Sequence, residues 1–279
     1  MSFFITFLPH RSFIRLSGPD KVSFLQGLVT NDVTKISYQN PLYAVFLTPQ
    51  GKFLNDLFII ETPEGDWLID CENAEELLKR LSLFKLRSNI TLTNLKEEYK
   101  VYAAWGDDLP LPSVEGGLMI TDPRMPQLGQ RWYIPSNANF TMTLSALESY
   151  DRHRILLGVG DGGRDVPVQK GVILEHNFNE LGAIDWQKGC YMGQELIART
   201  HYRGLIRKRL LPVKIEGPVV SYGAPIFDPQ WEEVGEMRTS VSDYGLAMLR
   251  LGVFDTQPVV LRADQTILRP WVALKFTLT

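Results

Sequence analysis

Hydrophobic and polar positions alternate along the first hundred residues in a way that predicts strands around two helices. Ser12–Leu16 mixes β-branched and aromatic residues and reads as a strand. Ser17-Gly18-Pro19-Asp20 is a helix start, followed by Val22, Leu25, Leu28 and Val29 at helical spacing. Leu42–Leu47, Phe53–Glu61 and Trp67–Cys71 are three apolar strand patterns. The turn signals Thr48-Pro49-Gln50-Gly51 and Thr62-Pro63-Glu64-Gly65 separate them. Asn73 can cap a helix with Glu75 and Glu76 in its first turn and Leu77, Leu78, Leu81 and Phe84 on one face. Ile90–Leu95 is again a strand. This run predicts a small α+β unit with one helix on an antiparallel sheet.

The pattern then weakens. Residues 106–117 hold Pro and Gly clusters and read as a loop. Phe140–Leu157 is helix-compatible up to Gly158. Gly158–Arg164 reads as a flexible loop, and it is no phosphate loop because no Gly-Lys-Ser/Thr follows. After Gly204 short strands alternate with Gly, Pro and Asp turns: Leu210–Ile215, Val219–Tyr222, Val234–Arg238, Leu246–Leu251, Val259–Arg262 and Val272–Thr277. That spacing predicts a small β-barrel or sandwich beyond a boundary near residue 205.

Composition narrows the class. The 279 residues are 44% hydrophobic and 22% charged, with a net charge of −3. Disorder requires the opposite balance. No apolar run approaches the ~20 residues of a membrane span. The N-terminal run is broken at Thr6, has no basic lead and no Arg/Ser bias, so neither a signal nor a transit peptide is expected. Cys71 and Cys190 are the two cysteines, too few for a disulfide scaffold or a self-contained iron–sulfur cluster. A cytoplasmic protein is expected.

The chemistry concentrates in Lys188-Gly189-Cys190-Tyr191-Met192-Gly193-Gln194-Glu195, which reads as a Gly-hinged loop feeding a short helix that stops at Gly204. Gln194 and Glu195 fall in the first helical turn, and Glu195 stands four residues before Arg199. A helix N-terminus and Lys188 would both favour a thiolate at Cys190; the alternative is a small buried thiol. Cys71 lies in an apolar strand and reads as core. Six cations and no acid stand between Leu196 and Ile215: Arg199, Arg203, Arg207, Lys208, Arg209 and Lys214. They form either a site for an anionic ligand or a solvated basic face. A pI of about 5.9 makes nucleic acid an unexpected direct ligand. Asp56 sits inside an apolar run and Glu175 directly follows one; each is either a surface acid or a pocket acid. His10, His153, His176 and His201 have no metal-ligand spacing with one another or with Cys, so no metal site is expected. A pair of Cys190 with His176 or His201 is a further option.

Seven of the eight signature positions match the Lys-Gly-Cys-Tyr-x-Gly-Gln-Glu pattern of the YgfZ family of folate-binding proteins, which this chain resembles. The flanks match as well: Leu16-Ser17-Gly18 with Asp20, Phe24-Leu25-Gln26-Gly27-Leu28, Thr30-Asn31-Asp32-Val33 and Leu47-Thr48-Pro49-Gln50-Gly51-Lys52. The continuation Ala198-Arg199-Thr200-His201 to Arg207-Lys208-Arg209-Leu210 is most similar to the branch that includes the mitochondrial iron–sulfur assembly factor. The resemblance covers about residues 11–215.

It implies an α+β, three-lobed, aminomethyltransferase-like folate-binding fold, with a ferredoxin-like lobe and a C-terminal β-barrel. The expected division is a discontinuous core at 1–44 and 100–204, an inserted lobe at 45–99 and the barrel at 205–279. The cofactor implied is tetrahydrofolate or a one-carbon derivative, free or polyglutamylated. Glu175 falls where the related T-proteins of glycine cleavage carry the acid that holds the pterin. Arg199, Arg203 or Arg207 would meet the glutamate tail, and Lys188, Tyr191, Gln194 and Glu195 belong to the same implied site. The implied role is support of iron–sulfur enzymes, including radical enzymes that modify tRNA, with Cys190 acting toward sulfur, iron or a one-carbon adduct. Iron–sulfur enzymes or assembly proteins are then the partners. The alternative is a folate-dependent aminomethyltransferase with Asp56 as acid or base. This chain has Asn55-Asp56 where T-proteins carry two acids, and it has the signature Cys they lack. A third reading is an adaptor that binds RNA or protein through its basic patch.

Overall fold

A computed structural model describes residues 3–109, 114–255 and 259–273. Its first sheet has five antiparallel strands in the order Leu42–Leu47, Phe53–Glu61, Trp67–Glu72, Arg11–Ser17, Thr91–Asn94. The expected strands are all present. Arg11–Ser17 lies inside this sheet, so its strands come from both sides of residue 45.

Every residue of Leu42–Leu47 is buried because both faces of the sheet are covered. Ala44 and Phe46 face the helix Ala74–Lys85, together with Ile14, Ile69 and Cys71. Tyr43, Val45 and Leu47 pack with Val159, Ile173, Phe178 and Tyr191. Asn73 caps the helix as expected, its side-chain oxygen accepting from Glu76 N at 3.1 Å. Leu77 and Leu81 supply the buried stripe.

A four-stranded sheet follows, ordered Phe3–Phe7, Tyr99–Gly106, Gln130–Pro135, Leu118–Thr121. None of its strands was anticipated. The expected helix over Phe140–Leu157 contracts to Leu147–Leu156. Phe140 is used instead as a packing plug, 5.0 Å from the Tyr102 ring and 6.3 Å from that of Trp132. The expected flexible loop Gly158–Arg164 ends in a helical turn, Gly162–Asp165, tied down by buried charges.

The C-terminal part closes into a six-stranded barrel, ordered Lys208–Glu216, Tyr244–Arg250, Glu233–Val241, Pro225–Phe227, Leu261–Ala263, Thr266–Pro270. Closure comes from Thr266–Pro270 pairing back onto Lys208–Glu216. Full closure removes the free edges that a sandwich would leave. Val219–Tyr222 is not a strand; Pro225–Phe227 takes its place. Val272 and Ala273 leave the barrel and pack on the central core, and the rest of the expected strand lies outside the described residues. No described helix is long and apolar enough to cross a membrane.

Candidate functional site

The signature loop is a hub onto which the other matching segments fold. Gly193, with φ +82°, starts the helix Gln194–Tyr202. A Cβ at Gly193 would lie 2.6 Å from Thr48 O and 2.9 Å from Gly51 Cα. Gly51 also has positive φ, and a Cβ there would lie 2.8 Å from Gly193 O. The turn Thr48–Gly51 and the signature therefore touch backbone to backbone, which only glycine permits. Met192 N donates to Gly27 O at 3.0 Å, joining the segment Phe24–Leu28. Thr30 bridges Ala183 O and Val45 N through its hydroxyl, and Asn31 donates to Tyr43 O and Gly182 O.

Lys188 clamps this hub. Its buried ammonium donates to Gln26 O, Val29 O and Asn31 O at 2.8, 2.7 and 2.7 Å. These carbonyls follow the short helix Lys21–Gln26, where a cation also meets the negative end of the dipole. Burial pulls the Lys188 pKa down to about 8. Three carbonyl acceptors use all three ammonium protons, so the charged form is held at neutral pH. Lys188 is thus a scaffold residue and has no proton left for Cys190 or a ligand, in contrast to the cofactor contact the resemblance implied. Tyr191 is buried beneath it, with the ammonium 5.3 Å from the ring. Burial raises the pKa of its phenol, whose oxygen has no hydrogen-bond partner among the described residues.

Cys190 is exposed, unlike Cys71. It sits before Gly193 and so outside the helix's first turn. Neither candidate histidine pairs with it. His176 is buried with Nδ1 2.9 Å from Val172 O, and His201 stacks on Trp186 at 3.9 Å. Cys71 is in the core, its thiol pKa pushed up by burial.

The remaining candidates divide. Gln194 and Glu195 open the helix as expected. Arg199, Arg203 and Arg207 are exposed on the helix and the following loop, and no ion pair joins Glu195 to Arg199 among the described residues. Arg209 leaves the basic patch: it is buried against Asn177 and Glu180 at 3.0 and 2.6 Å. Lys208 remains exposed.

Glu175 lines a cavity of about 360 Å³ between the short 3-10 turn Ile173–His176 and the barrel. Lys170, Lys208, Arg238, His176 and Tyr222 share its wall. Glu175 is half-buried, which raises its pKa; Lys208 and Lys52 act in the opposite sense. No described residue hydrogen-bonds its carboxylate. His176 Nε2 and Arg238 Nε are buried there without partners among the described residues. Arg238 carried no signal in the sequence, because the barrel strand bearing it meets Glu175 only in three dimensions.

Asp56 is elsewhere. It is fully buried, accepting from Arg11 at 2.7 Å and from the Tyr43 hydroxyl at 3.2 Å. Arg11 also binds Asp70 at 2.7 Å, and Asp70 accepts from Arg131 at 2.8 Å. Those cations hold the Asp70 pKa below the usual carboxylate range despite burial. The network continues through Asp122 and Arg124 at 2.8 Å, and a second group joins Arg154, Asp151, Asp165, Arg164 and Asp161. Asp56 and Glu175 are therefore not brought into one cavity.

Residues 207–274 match the family model "CAF17, C-terminal beta-barrel domain". The iron–sulfur cluster assembly factor IBA57, mitochondrial, of Mus musculus is 34% identical, over 87% of this chain and 76% of its own length. The homologues from Mycosarcoma maydis and Phaeosphaeria nodorum are 38% and 36% identical, over 74% and 80% of this chain. The chain spans only 56% and 57% of those two fungal relatives. The glycine cleavage system aminomethyltransferase T from Bartonella henselae shares the fold, with a TM-score of 0.78 at 13% identity, covering 99% of this chain and 86% of that one. The expected α+β aminomethyltransferase-like architecture with its barrel is therefore correct. The expected cytoplasmic location is not, since these relatives are named as mitochondrial proteins; composition and charge carry no compartment signal that could have decided it. At 34% identity over three quarters of the mouse protein, this chain belongs to the IBA57 family of iron–sulfur cluster assembly factors.

Proposed function

We propose that this chain is a tetrahydrofolate-binding iron–sulfur assembly factor that works in the compartment of its relatives. One observation carries the reading: Cys190 is an exposed thiol on a loop whose surroundings are locked by Lys188 and by the contact of Gly51 with Gly193. A rigidly held, accessible thiol suits a shared or transient cluster ligand, because one thiol cannot hold a cluster alone. Iron–sulfur enzymes or assembly proteins are the corresponding partners, with tRNA-modifying radical enzymes among the clients.

The Glu175 cavity supports the folate half of the proposal. A carboxylate without a protein donor can accept two N–H bonds from a 2-amino-4-oxo pterin edge. Its volume suits the pterin head, and Lys170 and Lys208 at its wall suit an anionic tail. Arg199, Arg203 and Arg207 are then free for a macromolecular partner or an extended polyglutamate. The aminomethyltransferase alternative draws on the shared fold alone. It needs Asp56 to reach a ligand, and Asp56 is buried between Arg11 and Tyr43.

The test separates the two halves. Cells lacking the protein are complemented with wild type, Cys190→Ala or Glu175→Gln, and a [4Fe–4S] tRNA-methylthiolating enzyme is assayed. Tetrahydrofolate binding to the purified chains is measured by calorimetry. We expect Cys190→Ala to lose complementation and keep folate affinity, and Glu175→Gln to weaken folate by about tenfold or more. Complementation by Cys190→Ala, or equal loss of both functions in both variants, sinks the division of labour.

A further inference from the structure

The buried ion network contains a second constellation, used by neither the thiol nor the Glu175 cavity. His10, Glu72 and Asp161 each present one ligand atom, and the three atoms lie within 4.8 Å of one another. They come from the turn ahead of the strand Arg11–Ser17, the last residue of Trp67–Glu72 and the residue before the turn Gly162–Asp165. That separation in sequence is why the histidine spacing gave no hint of them.

His10 Nε2 stands 2.9 Å from Asp161 Oδ2, which also receives Arg164 at 2.9 Å. Glu72 Oε2 accepts from Gly163 N at 3.1 Å. Glu72 Oε1 is shut off from solvent and has no hydrogen-bond partner among the described residues. A desolvated carboxylate oxygen without a donor is costly. The backbone packs closely against it: a Cβ on Gly162, at φ +40°, would clash at 2.9 Å from Glu72 Oε1 and 2.8 Å from Asp56 Oδ1, so only glycine brings this turn so near the two carboxylates.

Charge points the same way. Asp56, Asp70, Asp122, Asp151, Asp161, Asp165 and Glu72 are seven carboxylates facing five guanidiniums, those of Arg11, Arg124, Arg131, Arg154 and Arg164. Counting these groups alone, two negative charges are left over in a region largely withdrawn from water. One divalent cation would remove the imbalance. The rival solution is two bound protons.

We propose that His10, Glu72 and Asp161 bind one divalent first-row transition-metal ion through one imidazole nitrogen and two carboxylate oxygens. An N/O set of this kind suits Mn²⁺, Fe²⁺, Co²⁺ or Zn²⁺ over Mg²⁺ and Ca²⁺, which take oxygen alone. The ion would pin the turn Gly162–Asp165, and so the segment leading to Glu175, onto the end of the central sheet.

The probe is Co²⁺ alone, added to the full chain in a Cys190→Ser background that removes the exposed thiol. We expect saturable binding of one ion per chain, with visible d–d bands, at an affinity matching wild type. His10→Gln and Glu72→Gln, checked for folding by circular dichroism, should each weaken it at least about tenfold. No saturable binding, or unchanged affinity in both folded variants, overturns the proposal in favour of the two-proton solution. If the variants do not fold, pulsed EPR on Mn²⁺ bound to the Cys190→Ser chain decides. Coupling to one imidazole nitrogen upholds the site, and its absence overturns it.

Discussion

Gly193 and Gly51 meet with so little space that a Cβ on the first would stand 2.9 Å from the Cα of the second. Both have positive φ, +82° and +74°. Gly193→Ala therefore meets two obstacles, an unfavourable backbone region and a clash with Thr48 O and Gly51 that side-chain movement cannot relieve. We expect it to lower unfolding free energy by about 2 kcal/mol in urea. Gly189→Ala in the same signature is the control, since a Cβ there meets nothing within 4 Å and its φ is not positive. Equal losses in the two variants would remove the contact as the reason for glycine at Gly193.

Lys188 gives a prediction of opposite character, about polarity rather than space. Lys188→Met keeps the apolar stem and leaves the carbonyls of Gln26, Val29 and Asn31 without their donor. The cost should be about 3 kcal/mol, because buried acceptors lose a charged partner together. Lys188→Arg should not restore it, as a planar fork cannot aim at three converging carbonyls. Denaturant unfolding of the three proteins measures this. A fully stable Lys188→Arg chain would show that charge alone suffices at this position.

The buried ion network should respond differently to single and paired changes. Asp70 is held by Arg11 and Arg131. Asp70→Asn leaves two guanidiniums short of a counter-charge in the interior, and we expect a loss of about 3–5 kcal/mol. Asp70→Leu with Arg131→Met removes a charge of each sign and should be less destabilising than the sum of the single changes. Strict additivity, measured in a double-mutant cycle, would mean the pair does not interact.

What was legible in the sequence follows the range of the forces involved. The strands from Leu42 to Glu72 and the Asn73 cap were readable because alternation and capping are local. The strands Tyr99–Gly106 and Gln130–Pro135 escaped because their partners, each other and the strands Phe3–Phe7 and Leu118–Thr121, are brought together only by the fold. Lys188 and Cys190 were both visible as signature residues, but the three carbonyls that hold the lysine were not. The lysine's partners are carbonyls some 160 positions earlier, which no spacing rule reveals. Glu175 and Asp56 looked alike in sequence; the fold separates them into a cavity wall and a buried ion pair.

His176 supplies a prediction in pH. Its ring is buried, which pulls its pKa down to about 4; the Val172 carbonyl opposes this and Arg238 adds to it. In the unfolded chain the same group titrates near about 6.5. Between those values the unfolded state binds more protons, so the His176 contribution falls as pH drops from about 6.5 toward 4 and is complete above that window. The full amplitude is about 3 kcal/mol. Glu72, raised to about 7, acts with the opposite sign over much of the same range, since there the folded state binds more protons. The whole-protein profile can therefore look flat while both groups contribute. The difference between wild type and His176→Gln isolates one of them. Unfolding free energies measured from pH 7 to 4.5 should converge as the pH falls, with the wild type losing more than the variant. A constant offset between the two curves would mean that His176 titrates in the folded protein as freely as in the unfolded chain.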